Sequence, residues 1–446
     1  MSKLKIAIEY LFYLFVFLLP WQARLIYSEG FLNGGYWEYG SLSLYVTEIL
    51  LGIIFVLVII LAVRQFRLTN ARSQIQWLDV LFISLIMFAG LSILWSVNAI
   101  VSWNFWLMLI EGLALLYLAS RIGWNYIKLA TTVVISALIQ SCLAIYQFST
   151  QTVWSSKWLG MSGQHVADGG VSVVEGAGRW LRAYGSLPHP NMLGGFLTVA
   201  ILLLIGLLFH YRKKYYHPPW TISIKFLVSV FSLFASLTII TYALLLTFSR
   251  SAWMGLIFAI LFIWVVLFRQ KRKQQLWFFL KLNIIILLVV ILFTVIYGNL
   301  LCNRFNIDSR LEAQSISERQ VGWYEAGKIF KERPLFGVGL GAYTQALYDM
   351  DNSRPSYQYQ PVHNIDMLII AEMGIVGWLI VVVMIIYLLY LSHKKLYSRD
   401  DDELLMIVGV FLAILIISFF DHYLWSLYFG LMLGFLIVGL LVKRLR

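Results

Sequence analysis

The sequence predicts an all-α polytopic integral membrane protein with about twelve transmembrane helices. Hydrophobic residues make up 61% of its 446 residues and charged residues only 13%, and the mean hydropathy is +0.80. Apolar runs of the roughly 20 residues that a helix needs to cross the hydrocarbon recur along almost the whole chain. Basic residues follow alternate runs, as they do in the cytoplasmic loops of membrane proteins. We expect a single membrane domain over residues 1–446.

The apolar runs follow one another with few interruptions. They lie near 6–26, 43–63, 77–96, 103–121, 127–148, 191–211, 226–248, 251–268, 277–299, 364–391, 403–421 and 424–443. The first run carries Lys3 and Lys5 ahead of it, as a signal peptide does. It lacks a small-residue cleavage site, so we expect it to remain as an uncleaved span.

Positive charge predicts the orientation. Every even-numbered run is followed by basic residues, namely Arg64, Arg67, Arg72, Arg121, Lys128, Arg212, Lys213, Lys214, Arg269, Lys271, Arg272, Lys273, Lys394, Lys395, Lys443, Arg444 and Arg446. Both termini are therefore predicted to be cytoplasmic. These loops also account for most of the net charge of +12, so we expect no nucleic-acid partner.

Two of the outward connections are long. They cover residues 149–190 and 300–362, well beyond the usual length of a connection. The second contains a helix-like stretch near 312–331, followed by the turn-rich sequence PLFGVGLG. Polar residues that topology does not require collect in these two extracytoplasmic loops, so we expect the functional site on the outer face.

Arg250 lies in TFSRSAWMGL, between two spans that have almost no loop between them. An arginine is disfavoured on the outer side, and here it opens a helix whose free N–H groups attract an anion. This arrangement is typical of a diphosphate clamp. The structural alternative is an arginine whose side chain reaches a lipid headgroup.

His363 opens the tenth predicted span and is the candidate catalytic residue. At 100° per residue, Asp366, Gly374 and Gly377 share its helical stripe. Asp366 is predicted to orient the imidazole, and the glycines to allow close helix packing or contact with a lipid tail. Glu372 lies on the opposite side, so we expect a buried, hydrogen-bonded carboxyl there. The alternative for His363 is a structural interfacial histidine.

Further cations are predicted on the outer face. Arg319 lies in the helix-like stretch among several other basic residues, which fits an anionic ligand or a merely solvated face. The sequence LRAYGSLPHPNMLGG places Arg182 and His189 at the entry to the sixth span, where Pro190 is natural at a helix start. That sequence also fits helix capping alone.

The sequence motifs that could indicate a metal site or a nucleotide site are weak. Gly337, Gly339 and Gly341 have the wrong spacing for a dinucleotide turn. Asp349-Met350-Asp351 resembles a metal-binding DxD, but three-residue patterns arise by chance. We predict no metal and no cofactor.

The motifs RAYGSLPHPNMLGGF, TFSRSAWMGL, ERQVGWYEAGKIFKERPLFGVGLGAY and PVHNIDMLIIAEMGIVGW occur in this order. Over residues 180–380 the chain thereby resembles the O-antigen ligase superfamily, which includes Wzy-type O-antigen polymerases and protein O-oligosaccharyltransferases. The most specific block is His-Asn followed by E-x-G-x-x-G.

The resemblance implies a metal-independent glycosyltransferase of polysaccharide biosynthesis in the bacterial cytoplasmic (inner) membrane. Its donor would be an undecaprenyl-diphosphate-linked glycan, and its acceptor a hydroxyl of a lipid, glycan or protein at the outer face. The resemblance assigns the base to His363 and the diphosphate contacts to Arg250 and Arg319. Arg182, His189 and Asn364 complete the predicted substrate-binding set.

Three alternatives stay open at the level of sequence. A Wzy-type polymerase shares the donor chemistry and differs from a ligase in its acceptor. A transporter or flippase for lipid-linked sugars also fits about twelve spans with both ends inside. A carboxylate base in the first outer loop, Glu29 or Glu38, is the third.

Overall fold

The computed structural model describes residues 2–66, 77–176, 178–215, 224–398 and 400–446. Within these ranges the helices are α1 Ser2–Leu18, α2 Val46–Phe66, α3 Trp77–Leu91, α4 Ala99–Arg121, α5 Tyr126–Thr150, α6 Pro190–Tyr215, α7 Ile224–Leu246, α8 Arg250–Arg269, α9 Lys273–Phe305, α10 Arg310–Glu332, α11 Tyr343–Met350, α12 Ile365–Ser398, α13 Asp402–Ser418, α14 Tyr423–Ser426 and α15 Tyr428–Leu445. The short strands are β1 Arg24–Ser28, β2 Phe31–Leu32, β3 Gly35–Tyr36, β4 Leu42–Tyr45, β5 Thr152–Val153, β6 Gln164–His165, β7 Val173–Glu175 and β8 Arg179–Leu181.

The helices confirm the all-α polytopic membrane class. In the described ranges, nine of them are long and apolar enough to cross a membrane. Each of the twelve predicted spans overlaps a helix, but α1 and α13 have 17 residues each. The number of spans and the cytoplasmic placement of both ends stay predictions. Arg67 and Arg72, and the side chains of Arg64, Lys213 and Lys214, lie outside the described residues.

One predicted boundary is wrong because a short antiparallel hairpin replaces the end of a helix. The first span was predicted to reach residue 26, but α1 ends at Leu18, just before Pro20. Proline supplies no backbone N–H to continue a helix, and the chain instead forms β1, which pairs with β4. The 149–190 connection likewise contains the pairs β5–β6 and β7–β8. The helix predicted near 312–331 is confirmed as α10.

Helix α6 forms the centre of the bundle. Its residues 192–209 are all buried, and α5, α7, α8 and α13 pack around it. It begins at Pro190, whose fixed φ suits a first helical position. The helix therefore carries Asn191, at its second position, into the centre of the protein at the end where the loops meet.

Helix α12 is broken at Gly374, where φ is 64° and ψ is −171°. The segment 334–339 fills the break: the Val338 N–H donates to the Ala371 carbonyl at 3.0 Å, and the Ile375 N–H donates to the Pro334 carbonyl at 2.9 Å. The predicted continuous stripe from His363 to Gly377 is therefore wrong. The prediction of close packing at Gly374 holds, since a Cβ there would meet the backbone of Leu335.

Replacing Gly374 with alanine is expected to destabilise the protein by on the order of 3 kcal/mol or more, because this backbone region is almost exclusive to glycine. The added methyl group would also displace the 334–339 segment. Thermal unfolding in detergent measures the effect. Gly298→Ala is the matched control, since a Cβ there would meet no other atom within 4 Å. Equal melting temperatures for the two variants would contradict the strain at Gly374.

Candidate active site

A large cavity, the main cavity, opens where the ends of α6, α9, α12 and α13 meet α10. Its volume is about 1050 Å³. Its charged lining residues are six arginines, Arg179, Arg182, Arg304, Arg310, Arg319 and Arg354, and three carboxylates, Glu318, Glu325 and Asp421. It also has three histidines in its wall, His189, His363 and His422. The excess of guanidinium groups gives the cavity a positive potential that favours an anionic ligand.

His363 lies immediately before α12 and faces a buried carboxylate. Its Nδ1 is 3.9 Å from Oδ1 of Asp421, which allows electrostatic attraction but is longer than a hydrogen bond. This Nδ1 is buried and has no hydrogen-bond partner among the described residues, while 31% of the side chain is accessible. With Nδ1 turned to the carboxylate, Nε2 is the ring nitrogen that can exchange a proton with a ligand.

The prediction that Asp366 orients the imidazole of His363 is wrong. Oδ1 of Asp366 accepts a hydrogen bond from Trp378 Nε1 at 3.1 Å. The prediction assumed that both residues lie in one helix, where positions three apart are neighbours. Because α12 begins only at Ile365, the side chain of His363 does not follow the helical stripe.

Asn364 forms hydrogen bonds within the protein instead of the predicted contact with the substrate. Its Oδ1 accepts a hydrogen bond from the Met367 N–H at 2.9 Å, which caps the start of α12. Its Nδ2 donates to the Phe419 carbonyl at 3.1 Å. Asn364 thereby ties the start of α12 to the end of α13, which brings His363 and Asp421 together.

Asp421 is a buried carboxylate just beyond the end of α13, and its side chain is only 6% accessible. Its Oδ1 accepts a hydrogen bond from the His422 N–H at 2.9 Å, and its Oδ2 accepts one from Asn191 Nδ2 at 2.6 Å. Burial opposes its ionisation, but the neighbouring His363, then His422 and His189, stabilise the carboxylate. The net result lowers the pKa of Asp421 well below its usual value.

A chain of contacts connects Asp421 with a buried arginine. Asn191 Oδ1 accepts a hydrogen bond from Arg182 at 2.6 Å, and Arg182 Nε donates to the Thr247 carbonyl at 2.7 Å. Burial, and then repulsion by Arg304, lowers the pKa of Arg182 to about 9, which still leaves it charged at neutral pH. Arg182 therefore lies in the cavity wall, where it positions Asn191.

His189 is a neutral, partly buried residue of the same wall. Its Nδ1 accepts a hydrogen bond from the Asn191 N–H at 3.1 Å, so its proton resides on Nε2, which donates to Ser172 Oγ at 2.9 Å. Burial, and then repulsion by Arg182, lowers the pKa of His189 to about 3. Both ring nitrogens are thus occupied, which gives His189 a supporting position beside the site.

His422 brings a third imidazole to the site. Its ring centre lies 5.0 Å from that of His363, and its Nδ1 forms a hydrogen bond with Ser426 Oγ at 2.6 Å. Burial, and then repulsion by His363, lowers the pKa of His422 to about 3. Ligand atoms of His363, Asp421 and His422 lie within 4.8 Å of one another, so these three residues offer a set of donors that a metal ion can use.

Arg250 contacts a carboxylate that the sequence analysis missed. The side chain of Glu312 in α10 is only 4% accessible and forms ion pairs with Arg250, at 2.8 Å, and with Arg304. Arg304 also donates from Nε to the Phe248 carbonyl at 3.2 Å. Arg250 does not line the main cavity. The structure thus places Arg250, which was predicted to bind the diphosphate, behind the wall of the main cavity. There it belongs to a cluster of two arginines and one glutamate.

Replacing Glu312 with glutamine is expected to destabilise the protein by about 3 kcal/mol, because it leaves two largely buried arginines without their carboxylate. Chemical unfolding in detergent measures the loss. Glu332→Gln, on the same helix but exposed, is the matched control and should have no effect. An unchanged unfolding midpoint for Glu312→Gln would show that the cluster contributes no net stability.

Arg319 differs from the other arginines of the main cavity. It is partly buried in α10 and has neither an ion-pair partner within 4.0 Å nor a hydrogen-bond partner among the described residues. Burial, and then repulsion by Arg250, lowers its pKa. An uncompensated guanidinium beside a cluster of other cations is a site that an anion would stabilise.

The alternative carboxylate bases lie elsewhere. Glu38 forms a two-point ion pair with Arg24, in which NH2 and Oε2 are 2.9 Å apart. Burial opposes the ionisation of Glu38, but Arg24 lowers its pKa overall, and Glu29 is exposed. Neither lines the main cavity. Glu372 accepts a hydrogen bond from Trp425 Nε1 at 3.0 Å and is 3% exposed, which confirms the predicted buried carboxyl.

Comparison with known proteins found one matching family. The sequence model of the O-Antigen ligase family matches residues 234–382, a range that contains Arg250, Glu312, Arg319 and His363. No curated protein matches the chain. Residues 234–382 thus resemble the O-antigen ligase family, which confirms the resemblance that the sequence motifs indicated and supports a ligase- or polymerase-like membrane glycosyltransferase.

Proposed function

We propose that this protein transfers a glycan from undecaprenyl diphosphate to a hydroxyl group of an acceptor at the outer face of the bacterial cytoplasmic membrane. The observation that carries the proposal is the pairing of His363 with Asp421 in the wall of an arginine-rich cavity. A base beside a cationic cavity is what such a transfer needs, since one substrate must lose a proton and the other releases a diphosphate. The family match supports the reaction class.

In this proposal, the arginines bind the diphosphate of the donor. Arg319, which lacks a carboxylate partner, makes the direct contact, and the cluster of Arg250, Arg304 and Glu312 adds positive potential behind it. As the bond between the anomeric carbon and the diphosphate oxygen breaks, negative charge grows on the leaving group. Preorganised cations therefore stabilise the transition state more than the bound donor.

His363 acts as the base. Nε2 takes the proton of the acceptor hydroxyl as its oxygen attacks the anomeric carbon from the side opposite the diphosphate. A new glycosidic bond forms, undecaprenyl diphosphate leaves and the configuration inverts. Asp421 faces Nδ1 and stabilises the imidazolium. Connections 149–190 and 300–362, in this proposal on the outer face, contribute cavity residues and select the acceptor.

Reconstitution with a lipid-linked glycan donor tests the function. The donor is extracted from cells that lack this protein and is mixed with the purified full chain in lipid nanodiscs and with candidate acceptors. Release of undecaprenyl diphosphate together with a new glycosidic bond is the expected result. A single added glycan on a lipid or protein indicates a ligase, and a ladder of repeats indicates a polymerase. Passage of intact donor across a vesicle bilayer, with no new bond, would replace the proposal by a carrier.

Metal removal is expected to leave the activity unchanged within about twofold. In the proposed reaction, His363 takes the proton of the acceptor hydroxyl and the arginines stabilise the leaving diphosphate, and neither step uses a metal. Treatment with EDTA, followed by the same transfer assay, measures this. Added Zn²⁺ is expected to inhibit, since His363, Asp421 and His422 can bind it and thereby occupy the base. Loss of activity in EDTA that Zn²⁺ or Mg²⁺ restores would contradict the metal-independent proposal.

A further inference from the structure

One tyrosine in the wall of the main cavity has no assigned role. Tyr39 lies in the connection between α1 and α2, just before β4, and its side chain lines the cavity. It is partly buried, and its hydroxyl group has no hydrogen-bond partner among the described residues. The hydroxyl of Tyr423, another tyrosine of this wall, is enclosed by protein. That of Tyr39 is not enclosed, so a ligand in the cavity can reach it.

Tyr39 lies on the same side of the cavity as the proposed base. Its ring is 6.2 Å from the ring of His422, edge to face, and the ring of His422 is 5.0 Å from that of His363. The three rings thus follow one another along one wall. A hydroxyl group that gives its proton to His363 therefore lies in the part of the cavity that Tyr39 borders.

The charges around Tyr39 differ from those at the proposed diphosphate site. Burial, and then the carboxylates of Glu38 and Asp421, raise the pKa of Tyr39 well above its usual value, and no described arginine offsets this shift. The phenol therefore stays neutral and can both donate and accept a hydrogen bond. A neutral phenol beside a buried carboxylate suits an uncharged polar group better than a diphosphate.

The residues on both sides of Tyr39 fix its position. The preceding Trp37 is only 5% exposed, and its carbonyl accepts a hydrogen bond from Ser41 Oγ at 3.0 Å. Glu38 forms its two-point ion pair with Arg24. The turn that carries Tyr39 is thus held before any ligand binds, which lowers the entropic cost of a contact with its hydroxyl.

The direction of the transfer assigns this side of the cavity to one substrate. In an inverting displacement, the attacking oxygen and the leaving diphosphate lie on opposite sides of the anomeric carbon. The proposed reaction places the diphosphate at Arg319 and the attacking hydroxyl at His363. We propose that the hydroxyl group of Tyr39 forms a hydrogen bond with the acceptor next to its attacking hydroxyl, and so holds that hydroxyl at Nε2 of His363. This inference rests on the proposed transfer reaction and adds a residue that positions the acceptor.

Tyr39→Phe tests the inference, because it keeps the ring and removes only the hydroxyl group. Transfer is measured with the full chain in nanodiscs, with the concentrations of donor and acceptor varied separately. The value of kcat/KM for the acceptor should fall by about threefold to tenfold, the effect of one lost neutral hydrogen bond. The KM of the lipid-linked donor should stay unchanged. Tyr27→Phe, a 61% exposed tyrosine of the same connection, is the matched control and should behave as the wild type.

Two further measurements separate positioning of the acceptor from a structural role. The melting temperature of Tyr39→Phe should equal that of the wild type, because the hydroxyl has no partner in the described chain. Attack by water instead of the acceptor releases free glycan, and the ratio of free to transferred glycan should rise in Tyr39→Phe. A residue that only supports the fold would lower both products together.

Inorganic pyrophosphate probes the donor side separately. Calorimetry on the full chain in detergent should show equal affinity for the wild type and Tyr39→Phe, and weaker binding by Arg319→Gln. Weaker pyrophosphate binding or a raised donor KM in Tyr39→Phe would mean that the hydroxyl contacts the donor, and would overturn the inference.

Acceptor kinetics of Tyr39→Phe that match those of Tyr27→Phe would also overturn the inference and leave the proposed reaction intact. Failure of the reaction itself would instead appear as an absence of donor cleavage in the wild type. That result would overturn both, since a residue that positions the acceptor has no meaning without the transfer.

Discussion

Replacing His363 with alanine is expected to lower the rate of glycan transfer by about 10²- to 10⁴-fold, the usual contribution of a positioned general base. The loss should appear mainly in kcat, because the arginines that hold the donor are unchanged. Release of undecaprenyl diphosphate in nanodiscs measures the rate, and surface glycan measures it in cells. The variant should stay folded, since the side chain is partly accessible and has no hydrogen-bond partner among the described residues.

Two comparisons sharpen the His363 experiment. His165→Ala, an exposed histidine in the 149–190 connection, is the matched control and should retain wild-type activity. Asp421→Asn removes the carboxylate that faces Nδ1 and should lower kcat by about 10- to 100-fold, with a smaller effect on donor KM. Normal surface glycan from His363→Ala, at normal expression, would refute the assignment of the base.

The parts of this site that sequence predicts are those that local periodicity controls. The amphipathic stretch at α10 contains Arg319 at a helical position, and the burial of Glu372 follows from its side of the helix. His363 stands out in the sequence because it opens an apolar run after a polar segment. Each of these inferences needed only neighbours within about one helix of the residue concerned.

The partner of His363 could not be found in this way. Asp421 is 58 residues further along the chain, and it approaches the histidine only because Asn364 and Phe419 connect the two helix ends. The sequence offered one signal, an adjacent aspartate and histidine at the end of the apolar run 403–421. Helical spacing favoured Asp366, but spacing rules apply only inside a helix, and His363 lies before its start.

The contrast between Arg250 and Arg319 has the same cause. Both were predicted as diphosphate ligands, and no periodic pattern distinguishes them. The difference is Glu312, a carboxylate on α10 that folding brings against Arg250 and Arg304. It neutralises part of that cluster, whereas Arg319 further along α10 has no such partner. Which cation is available to a ligand is therefore decided by tertiary contacts.

Replacing Arg319 with glutamine is accordingly expected to have the second largest effect, a loss of kcat/KM of about 10²- to 10³-fold. The physical reason is the loss of a charge-assisted contact that strengthens as the diphosphate leaves. Arg319→Lys keeps the charge but not the planar fork, so it should recover only part of the activity. Melting temperatures should match the wild type, because no described residue depends on Arg319 for an ion pair.

The matched control is Arg310→Gln, on the same helix and in the wall of the same cavity. Its side chain is 69% accessible and is paired with Glu175, so screening by water and by this carboxylate makes it a weak anion site. Its loss should cost less than tenfold. If the two variants lost equal activity, the cavity would attract its ligand through overall charge, and Arg319 would have no special contact with the diphosphate. A loss confined to Arg319 would instead identify it as the residue that binds the leaving group.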